Sequence, residues 1–558
     1  MKIRPFHFFI FWLALNLVQA AFTELTSDEG YYWFYSRSLE WGYYDHPPFI
    51  ALMVRIGYAL FPNELGVRLV NVILNALSVL LLFRLVPRGE QKRDDLIYLM
   101  ILSLPLLNYL AFLIFPDGPL LFFLVLFLIG YKRSLEKDDL PAVLLMGFST
   151  ALMLYSKYHG VLVVGFTVLS NPRLLRSPKF LLSMCLALVL FLPHLWWQYA
   201  HQFPTFQFHL QGRTTSFTTQ YLLEYISQQI PAVGPGLIFV PFVHRTQDRF
   251  ERALQSIAIG TLGFFLFTAL KAFVHFHWTS IALFPLLVIA SRFHEEEKRK
   301  KLFQFLVLPF AFVVLVLRLY LMFRIFPVNH INVDYYHGRE LWAEDIEGVA
   351  GDRPVLFGDN FRESALYSFY SGHTGVSLQT GEKRRSQYEL WNYEDGLQGK
   401  EVVVIHGSPF AGSRELRTRM GKTVHYFIAP DFSSYYNIPV DVAFPRAVKS
   451  GDSMAVPVTV SNPRTTALRF RKDGFPRAPV LFYVIRKDGR EVHRGELEVF
   501  PEGAIIPPGG RREFLASLSL PPLEEGTHTV NFGIRYEPLL DAYGSTAHEF
   551  RNTQAGDR

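Results

Sequence analysis

Apolar and polar positions divide the chain into two regions with different patterns. From Pro5 to Phe326, apolar runs of roughly 15–22 residues alternate with short polar breaks, as in helices that cross a bilayer. After Pro327 the apolar runs are shorter, and charged residues, proline and glycine are scattered among them, as in soluble domains. The pattern predicts a membrane region, residues 1–326, that crosses the bilayer about eleven times. The predicted spans lie near residues 5–22, 67–86, 96–114, 119–131, 140–155, 160–171, 180–197, 231–243, 253–271, 278–291 and 302–326.

The C-terminal region is predicted to contain two small soluble domains. Residues 327–436 form a predicted α/β domain, because apolar strands at Pro354–Asp359 and Glu401–Gly407 flank a helical segment. Residues 437–558 contain short alternating segments separated by turn residues, which indicates an immunoglobulin-like β-sandwich. The alternating segments are Met454–Val460, Val480–Ile485, Glu513–Leu520 and Thr527–Tyr536.

Lysine and arginine are distributed unevenly among the polar breaks. Assigning alternate breaks to alternate sides gives about twenty basic residues on one side and about six on the other, so the positive-inside rule puts the first set in the cytoplasm. The N-terminus is then cytoplasmic, and the odd number of spans puts the soluble region outside. We interpret the first apolar segment as an uncleaved span rather than a signal peptide cut near Val18–Ala20, because further spans follow it.

Net charge and cysteine content change this picture little. The net charge of +6 and the pI near 9.1 are compatible with nucleic-acid binding. The basic residues cluster in breaks between apolar runs, however, and not on one soluble face, so nucleic acid is not expected as a partner. Cys185 is the single cysteine and lies in an apolar run, so the chain forms no intrachain disulfide.

Two acidic residues, Asp28 and Glu29, directly follow the first predicted span. One interpretation is structural: Ser27 caps a helix that starts at Asp28, and acids in a first turn interact favourably with the helix dipole. The other is chemical: a carboxylate at the membrane surface takes a proton from an incoming hydroxyl group. The residues support both interpretations and barely separate Asp28 from Glu29 as the base.

Asp45, His46 and Asp117 are further candidates in predicted outer loops. Pro47 and Pro48 rule out a continuous helix after His46 and predict a rigid turn that fixes Asp45 and His46. Asp117 is the only charged residue in a very short outer loop, and ionisable groups at that depth are functional candidates by default.

Basic and histidine side chains lie at the outer ends of later spans. Lys157 and Lys271 each occupy such an end, Arg213 is the only cation of the fourth outer loop, and His277 adjoins a tryptophan. One interpretation is snorkelling cations in an aromatic belt. The other is a cationic pocket for a phosphate that is anchored in the membrane. A metal site involving His46 or His277 is a further alternative, but no ligands have diagnostic spacing.

Several common catalytic signatures do not occur in the sequence. It has no Walker loop, no dinucleotide glycine motif and no serine nucleophile elbow. The candidates are instead carboxylates in two outer loops and cations at neighbouring span ends, all next to lipid. Nucleotide sugars and ATP are not expected outside a cell membrane. A donor carried by a lipid is therefore the expected partner, and no cofactor is required.

Six segments of the membrane region carry motifs that resemble those of one known family. They are Asp28–Trp33, Trp41–Pro48, Glu64–Leu69, Pro116–Leu120, Ser156–Tyr158 and Lys271–Pro285. These segments are similar to those of bacterial dolichyl- or polyprenyl-phosphate-mannose protein mannosyltransferases, whose relatives include the lipid A aminoarabinose transferase, in the C-type glycosyltransferase superfamily. The resemblance covers about residues 5–290 and departs at His277–Thr279, where the family usually has a proline.

The resemblance implies an inverting glycosyltransferase, for a hexose or pentose carried on a polyprenyl monophosphate. Asp28 is the implied general base, with Glu29 as its rival. Lys157, together with Arg213 or Lys271, is implied to stabilise the charge of the leaving phosphate. The residues implied to orient the acceptor are Asp45, His46, Asp117 and His277.

The expected protein is therefore a polytopic α-helical membrane enzyme with a C-terminal α/β plus β-sandwich region, in a bacterial inner membrane. Its expected partners are a polyprenyl-phosphate-linked sugar, membrane lipids, and an acceptor that is a protein, glycan or lipid. A transporter or flippase of a lipid-linked glycan is the first alternative, but its charges belong near mid-bilayer in broken helices. A non-enzymatic membrane scaffold is the second, and it leaves the sparse outer charges unexplained. The residues specify neither the sugar nor the acceptor.

Overall fold

The computed structural model divides the chain into two compact units, Met1–His337 and Gly338–Arg558. The first unit is helical, and the second contains all the β-strands of the described residues. The structure describes residues 4–86, 91–211, 219–293, 297–324, 336–358, 360–378, 385–410, 412–436, 438–449, 451, 453–470, 478–536, 539–545 and 547–552.

The first unit is built from α-helices and two short 3-10 helices, at Pro172–Arg176 and Phe276–Ala282. The α-helices are α1 (Pro5–Phe22), α2 (Ser27–Ser36), α3 (Phe49–Leu60), α4 (Glu64–Leu82), α5 (Gln91–Ser103), α6 (Pro105–Phe112), α7 (Asp117–Glu136), α8 (Leu140–Ser156), α9 (Gly160–Ser170), α10 (Pro178–Ala200), α11 (Pro204–Gln211), α12 (Thr219–Val233), α13 (Pro235–Ile238), α14 (Val240–Val243), α15 (Arg249–Thr268), α16 (Leu283–Phe293) and α17 (Glu297–Met322).

Five helical segments among the described residues are long and apolar enough to cross a membrane. They are α1, α4, α7, α10 and the continuous segment Phe276–Phe293, and two bent pairs of helices raise the number to seven if each pair is one span. All eleven predicted spans contain helix, which together with this count makes the chain a multi-pass membrane protein. The figure of eleven crossings stays a prediction.

The two bends occur where the sequence interrupts helical hydrogen bonding. α5 and α6 meet at 76°, where Leu104 is extended and Pro105 begins the next helix. α12 and the segment Gly236–Val243 meet at 92°, where Gly234 has a φ of +83°. Proline lacks an amide donor and glycine tolerates positive φ, so both are typical of breaks inside a span.

The first predicted outer loop, residues 23–66, is more helical than the sequence predicts. The double proline does not give only a turn, because Pro48 takes the N-cap position of α3, where a missing amide hydrogen costs nothing. The apolar run after Pro48 then folds as a helix that buries Ile50, Val54 and Gly57 at helical spacing.

Several helices of the first unit pack closely against one another. α4 packs against α1, α3 and α7, while α8 packs against α7 and α10. At the crossing of α8 and α10, a Cβ atom on Gly147 would lie 2.9 Å from the carbonyl oxygen of Ser183. Such close backbone approach at a small residue is typical of helix pairs in membranes.

The second unit begins with an α/β segment around a five-stranded sheet of order β2-β1-β3-β5-β4. β1 is parallel to β2 and β3, whereas β5 is antiparallel to β3 and β4. The predicted strands at 354–359 and 401–407 and the helix between them are confirmed. The elements are α18 (Arg339–Ala350), β1 (Val355–Phe357), α19 (Phe361–Ser371), β2 (Gly375–Ser377), α20 (Gln387–Leu390), β3 (Val402–His406), β4 (Arg414–Arg417) and β5 (Thr423–Ala429), with a 3-10 helix at Tyr393–Leu397.

The rest of the second unit is made of β-strands in three sheets, of orders β11-β10-β14-β16-β7, β13-β8-β6 and β12-β9, with β15 on β14. All four predicted alternating segments are strands. One buried apolar cluster runs through this part and the α/β segment, so the predicted division at residue 437 stays a prediction. The strands are β6 (Val440–Val442), β7 (Ala447–Val448), β8 (Ser453–Ser461), β9 (Leu468–Phe470), β10 (Val480–Lys487), β11 (Arg490–Leu497), β12 (Ala504–Ile506), β13 (Arg511–Ser519), β14 (Gly526–Tyr536), β15 (Leu539–Tyr543) and β16 (His548–Asn552).

Candidate active site

Glu29 is fully buried and forms a bidentate ion pair with Arg68, which is also fully buried. Arg68 donates from Nε to Glu29 Oε1 at 2.7 Å and from Nη2 to Oε2 at 2.6 Å. Glu29 Oε1 also accepts from the backbone N–H of Ile114 at 3.0 Å. The remaining Arg68 donors reach carbonyl oxygens at the end of α1, including that of Ala20 at 3.1 Å. One ion pair thus joins α1, α2, α4 and the segment before α7.

The start of α2 differs by one residue from the sequence expectation. Thr26, not Ser27, is the N-cap, and the helix begins at Ser27. Thr26 is the N-cap because it forms a capping box with Glu29. The Thr26 backbone N–H donates to Glu29 Oε2 at 2.9 Å, and the Thr26 hydroxyl accepts from the Glu29 N–H at 3.4 Å. This places Glu29 inside the protein and Asp28 beside it, half-buried on the first turn.

Asp117 is a second fully buried carboxylate, at the start of α7. Its Oδ2 accepts from Lys157 Nζ at 2.7 Å, and its Oδ1 accepts from the Ser280 hydroxyl at 2.7 Å. Lys157 follows the last residue of α8 and is itself buried. Gly118 is required next to Asp117, because a Cβ atom there would lie 1.8 Å from Asn71 Oδ1 on α4. The short predicted outer loop that contains Asp117 and the predicted phosphate-binding residue Lys157 are therefore in direct contact.

Aromatic rings connect this ion pair to the Asp28 region. His277 Nε2 lies 4.0 Å from Asp117 Oδ2, and the His277 ring packs against Phe115 with centroids 5.4 Å apart. Phe115 in turn contacts Tyr109 on α6, again at 5.4 Å. Phe115 also contacts Tyr32 on α2, with ring centroids 6.3 Å apart. The aromatic cluster thus links the Asp117 pair to α2, the helix that carries Asp28.

Asp45 and His46 are held against the aromatic face of α2. The Tyr35 hydroxyl donates to Asp45 Oδ1, and the Tyr35 ring stacks on Tyr43 at 4.3 Å. His46 Nε2 lies 3.5 Å from the Tyr32 hydroxyl. The sequence prediction that this turn fixes both side chains agrees with this geometry, while their role in orienting an acceptor stays a prediction.

The end of α10 fastens the segment that precedes Asp45. His194 Nδ1 donates to the carbonyl oxygen of Trp41 at 2.6 Å, so its Nε2 accepts from the Tyr158 hydroxyl at 2.7 Å when the ring is neutral. Trp197 donates from its indole nitrogen to Glu40 at 2.8 Å. These bonds join the first predicted outer loop to the last turns of α10, more than 150 residues further along the chain.

An apolar cavity of about 400 Å³ adjoins the aromatic cluster. Tyr109 and Phe276 form one side, and α17 forms another through Leu317 and Arg318. Arg318 is 5 % exposed and donates from Nε to Asn108 at 3.0 Å and from Nη2 to Asn16 at 2.8 Å. Its Nη1 has no hydrogen-bond partner among the described residues.

Two further residues, Arg213 and Lys271, were predicted to bind the donor phosphate. Arg213 lies outside the described residues. Lys271 lies beyond the end of α15 with an exposed side chain, so its predicted role rests on its sequence position. Among the residues that the structure describes, no three His, Cys, Asp or Glu side chains are grouped closely enough to hold a metal ion.

Arg68, Ser280, Tyr109 and Arg318 belong to the site region but were not candidates from the sequence. In the sequence, Arg68 belongs to the motif Glu64–Leu69, but nothing there marks it as a site residue. Ser280 and Tyr109 are residue types that are common near the ends of membrane spans. Arg318 has the clearest signal in the sequence, because it is a cation that interrupts a long apolar run.

The sequence profile of the dolichyl-phosphate-mannose-protein mannosyltransferase family matches residues 45–197. Two relatives come from Rhizobium johnstonii. The lipid A galacturonosyltransferase RgtD is 26% identical over 228 residues, which cover 39% of this chain and 48% of the relative. The lipopolysaccharide core galacturonosyltransferase RgtA is 27% identical over 245 residues, covering 41% and 46%. The chain thus spans about half the length of these relatives.

The crystal structure of ArnT from Cupriavidus metallidurans has a similar fold. In its apo state it superposes with a TM-score of 0.54 at 15% identity, over 75% of this chain and 97% of that one. The structure of ArnT bound to undecaprenyl phosphate gives the same values. The resemblance and the fold class predicted from the motifs are confirmed. Over residues 45–197 the chain therefore resembles the dolichyl-phosphate-mannose-protein mannosyltransferase family, and its fold is similar to that of ArnT.

Proposed function

We propose that the protein is an inverting glycosyltransferase that moves a sugar from a polyprenyl-phosphate donor to an acceptor hydroxyl, on the extracytoplasmic face of the membrane. The observation that carries this proposal is the different environment of two adjacent carboxylates. Glu29 is fully engaged by Arg68, Ile114 and Thr26. Asp28 is half-buried on α2, which contacts the aromatic cluster next to the apolar cavity through Tyr32.

In the proposed reaction, Asp28 accepts the proton of the acceptor hydroxyl. The acceptor oxygen attacks C1 of the sugar from the face opposite the phosphate, the C1–O bond to the phosphate breaks, and the anomeric configuration inverts. Polyprenyl monophosphate leaves with the bonding electron pair. A positioned general base of this kind contributes roughly 10²–10⁴ in rate. Glu29 acts as a brace: its bonds to Arg68, Ile114 and Thr26 fix the first turn of α2 and thereby the position of Asp28.

The leaving phosphate gains negative charge as the bond breaks, and the proposal assigns its stabilisation to Lys157, with Lys271 and Arg213 as further cations. Asp117 and Ser280 hold Lys157 and the segment around His277 in fixed positions. We assign Asp45, His46, Asp117 and His277 to the orientation of the acceptor.

The apolar cavity suits the isoprenoid part of the donor, because its lining is almost entirely hydrocarbon and aromatic. The complex of ArnT with undecaprenyl phosphate supports this assignment. The two relatives act on lipid A and on the lipopolysaccharide core, which supports a glycan or glycolipid acceptor and makes galacturonic acid the first donor sugar to test.

Donor transport is a second candidate, favoured by one specific observation. Two pairs of apolar helices are sharply bent, and the buried cation Arg318 lies within α17 beside the cavity. Interrupted helices and buried cations are features of transport pathways. The carboxylates, however, lie at helix starts rather than within spans, as the enzyme requires.

The experiment is a transfer assay in proteoliposomes with labelled polyprenyl-phosphate sugars and lipid A or core glycolipid as acceptor. Wild-type protein is expected to move label to the acceptor with inverted anomeric configuration. Donor that crosses the bilayer with no label on any acceptor would overturn the proposal in favour of transport.

A further inference from the structure

The second unit contains a polar cavity of about 470 Å³, separate from the residues discussed so far. It lies where residues 398–399 and 430–433 meet the segment 466–469 and the end of β14. Its volume is within the range of small-molecule sites, but its lining is more polar than is usual for them. Its lining includes the side chains of Gln398, Asp431, Ser433, Thr466, Arg469 and Tyr536.

The walls of this cavity are held in place by hydrogen bonds. Gly399 N–H donates to the carbonyl oxygen of Phe432 at 2.7 Å, and Phe432 N–H donates to that of Lys400 at 2.9 Å. Gln398 accepts from the N–H of Ser434 at 3.1 Å. The Tyr435 hydroxyl donates to the Arg469 carbonyl oxygen at 2.6 Å, which ties the segment to β9. A preformed cavity loses little conformational entropy when a ligand binds.

The cavity presents both donors and acceptors around its rim. On β9, Arg469 alternates with buried Leu468 and Phe470, so its guanidinium projects away from the apolar core. Asp431 supplies a carboxylate, and Thr466 supplies an exposed hydroxyl. The charges of Asp431 and Arg469 cancel.

These features distinguish between classes of ligand. A nucleotide or another polyanion would need several cations, and a lipid tail would need an apolar lining. Saccharide hydroxyls both donate and accept, so they can use a carboxylate, a guanidinium and a hydroxyl at the same time. The Tyr536 ring adds a buried apolar surface and packs edge-on against Tyr435 at 5.2 Å.

We propose that the cavity between Gln398, Asp431, Thr466, Arg469 and Tyr536 is a saccharide-binding site that holds a sugar segment of the acceptor. The assignment to the acceptor rests on the proposed function, whereas saccharide binding itself does not. Asp431 accepts hydrogen bonds from sugar hydroxyls, and Arg469 donates to ring or hydroxyl oxygens.

The test uses the full chain in nanodiscs and measures binding of two probes by calorimetry: the core oligosaccharide released from lipopolysaccharide, and a neutral glucan hexasaccharide. Asp431→Asn and Arg469→Gln are the cavity variants. Asp441→Asn on β6 and Arg511→Gln on β13 are matched controls, because both side chains are exposed on strands that do not line the cavity. The same variants are assayed for transfer to the glycolipid acceptor.

Each cavity variant is expected to weaken oligosaccharide binding at least about tenfold, the loss typical of an unpaired polar contact. The controls are expected to bind like wild type, and KM for the acceptor rises in the cavity variants with kcat unchanged. Asp28→Asn, which the proposed function makes inactive, is expected to bind both probes normally.

Equal binding by wild type and both cavity variants would overturn the proposal, as would the failure of both probes to bind at concentrations up to about 10 mM. Saccharide binding that depends on Asp431 and Arg469, in a protein that transfers no sugar, would support the cavity and overturn the enzymatic function. The two failures are therefore distinguishable.

Discussion

Glu29 and Asp117 are both fully buried carboxylates, and each is held by a cation from a different helix. Neither carboxylate is exposed to solvent, so the cation beside it compensates for the cost of burying its charge. Removing one member of a buried pair typically costs about 3–5 kcal/mol, because the remaining charge is left without compensation. These two pairs are therefore the points at which single substitutions should affect the helical unit most.

We expect Asp117→Asn to lower both stability and transfer. The substitution keeps the hydrogen bond to Ser280 possible but leaves Lys157 buried without its counter-ion, so the free energy of unfolding should fall by about 3–5 kcal/mol. The double variant Asp117→Asn/Lys157→Met should regain part of that stability and none of the activity. Thermal unfolding and the transfer assay measure the two effects.

The exposed pair Lys179–Asp138 is the control for this prediction. Asp138→Asn should change the unfolding midpoint little, because surface ion pairs contribute little. Equal unfolding midpoints for Asp117→Asn and wild type would show that the Asp117 pair is not buried as described.

Among the elements, α10 has an unexpected part in positioning the segment between α2 and α3. Its last turns hold Trp41 and Glu40 through His194 and Trp197. A Cβ atom on Gly42 would lie 2.4 Å from the Trp197 ring, so the two chains are in direct contact there. Fastening at this point limits the positions that Asp45 and His46 can adopt.

Trp197→Phe is expected to lower transfer about tenfold without unfolding the protein, because it removes the bond to Glu40 but keeps an aromatic ring against Gly42. The neighbouring Trp196 is 70% exposed, and Trp196→Phe is the matched control with near-normal activity. A similar loss in both variants would mean that interfacial anchoring, not loop positioning, accounts for the effect.

Two buried acids in the second unit predict a pH dependence of stability. Burial raises the pKa of Glu389 on α20 to about 7 and that of Glu394 to about 8, from a usual value of 4.5. The Tyr436 hydroxyl donates to Glu389 Oε2 at 2.5 Å, and Arg464 Nη2 lies 3.6 Å from Glu394 Oε1. The folded state therefore holds more protons than the unfolded state between pH 4.5 and about 8.

Stability should fall as pH rises from about 5 to about 8, by at most about 1.4 kcal/mol per pH unit for each acid. Hydrogen exchange of residues 385–470 in the full chain measures this effect. The variant Glu389→Gln/Glu394→Gln should flatten the dependence, whereas Glu401→Gln, at an exposed ion pair, should not. Protection that increases with pH in wild type would have the opposite sign from the one predicted.

At the scale of the whole molecule, the features that the sequence predicts are those that depend on residues close together in the chain. Span positions and the C-terminal strands follow from hydrophobic periodicity, and Asp28, Asp117 and Lys157 follow from charges placed at span ends. Ser280 lies 163 residues from its partner Asp117, and Arg68 lies 39 residues from Glu29, so no local pattern identifies either. α3 was missed because two prolines signal a turn and a helix start equally well.

The predicted orientation can be tested with single cysteines in a Cys185→Ser background. Arg511→Cys in the second unit should react with a membrane-impermeant maleimide in intact spheroplasts. Arg176→Cys, in the break before α10, should react only after permeabilisation. Both side chains are exposed, so access depends on the side of the membrane and not on burial. The reverse labelling pattern would show that the topology is inverted, and it would contradict an extracytoplasmic site.

The central claim is that Asp28 is the base and Glu29 its brace. The most direct test compares Asp28→Asn with Glu29→Gln in the proteoliposome transfer assay, with the unfolding midpoint of each variant measured in parallel. We predict that Asp28→Asn unfolds like wild type and loses at least about 10²-fold in kcat. Glu29→Gln should lower the midpoint, because Arg68 loses its counter-ion. Near-normal transfer by Asp28→Asn, with a stable but inactive Glu29→Gln, would contradict the account and make Glu29 the base.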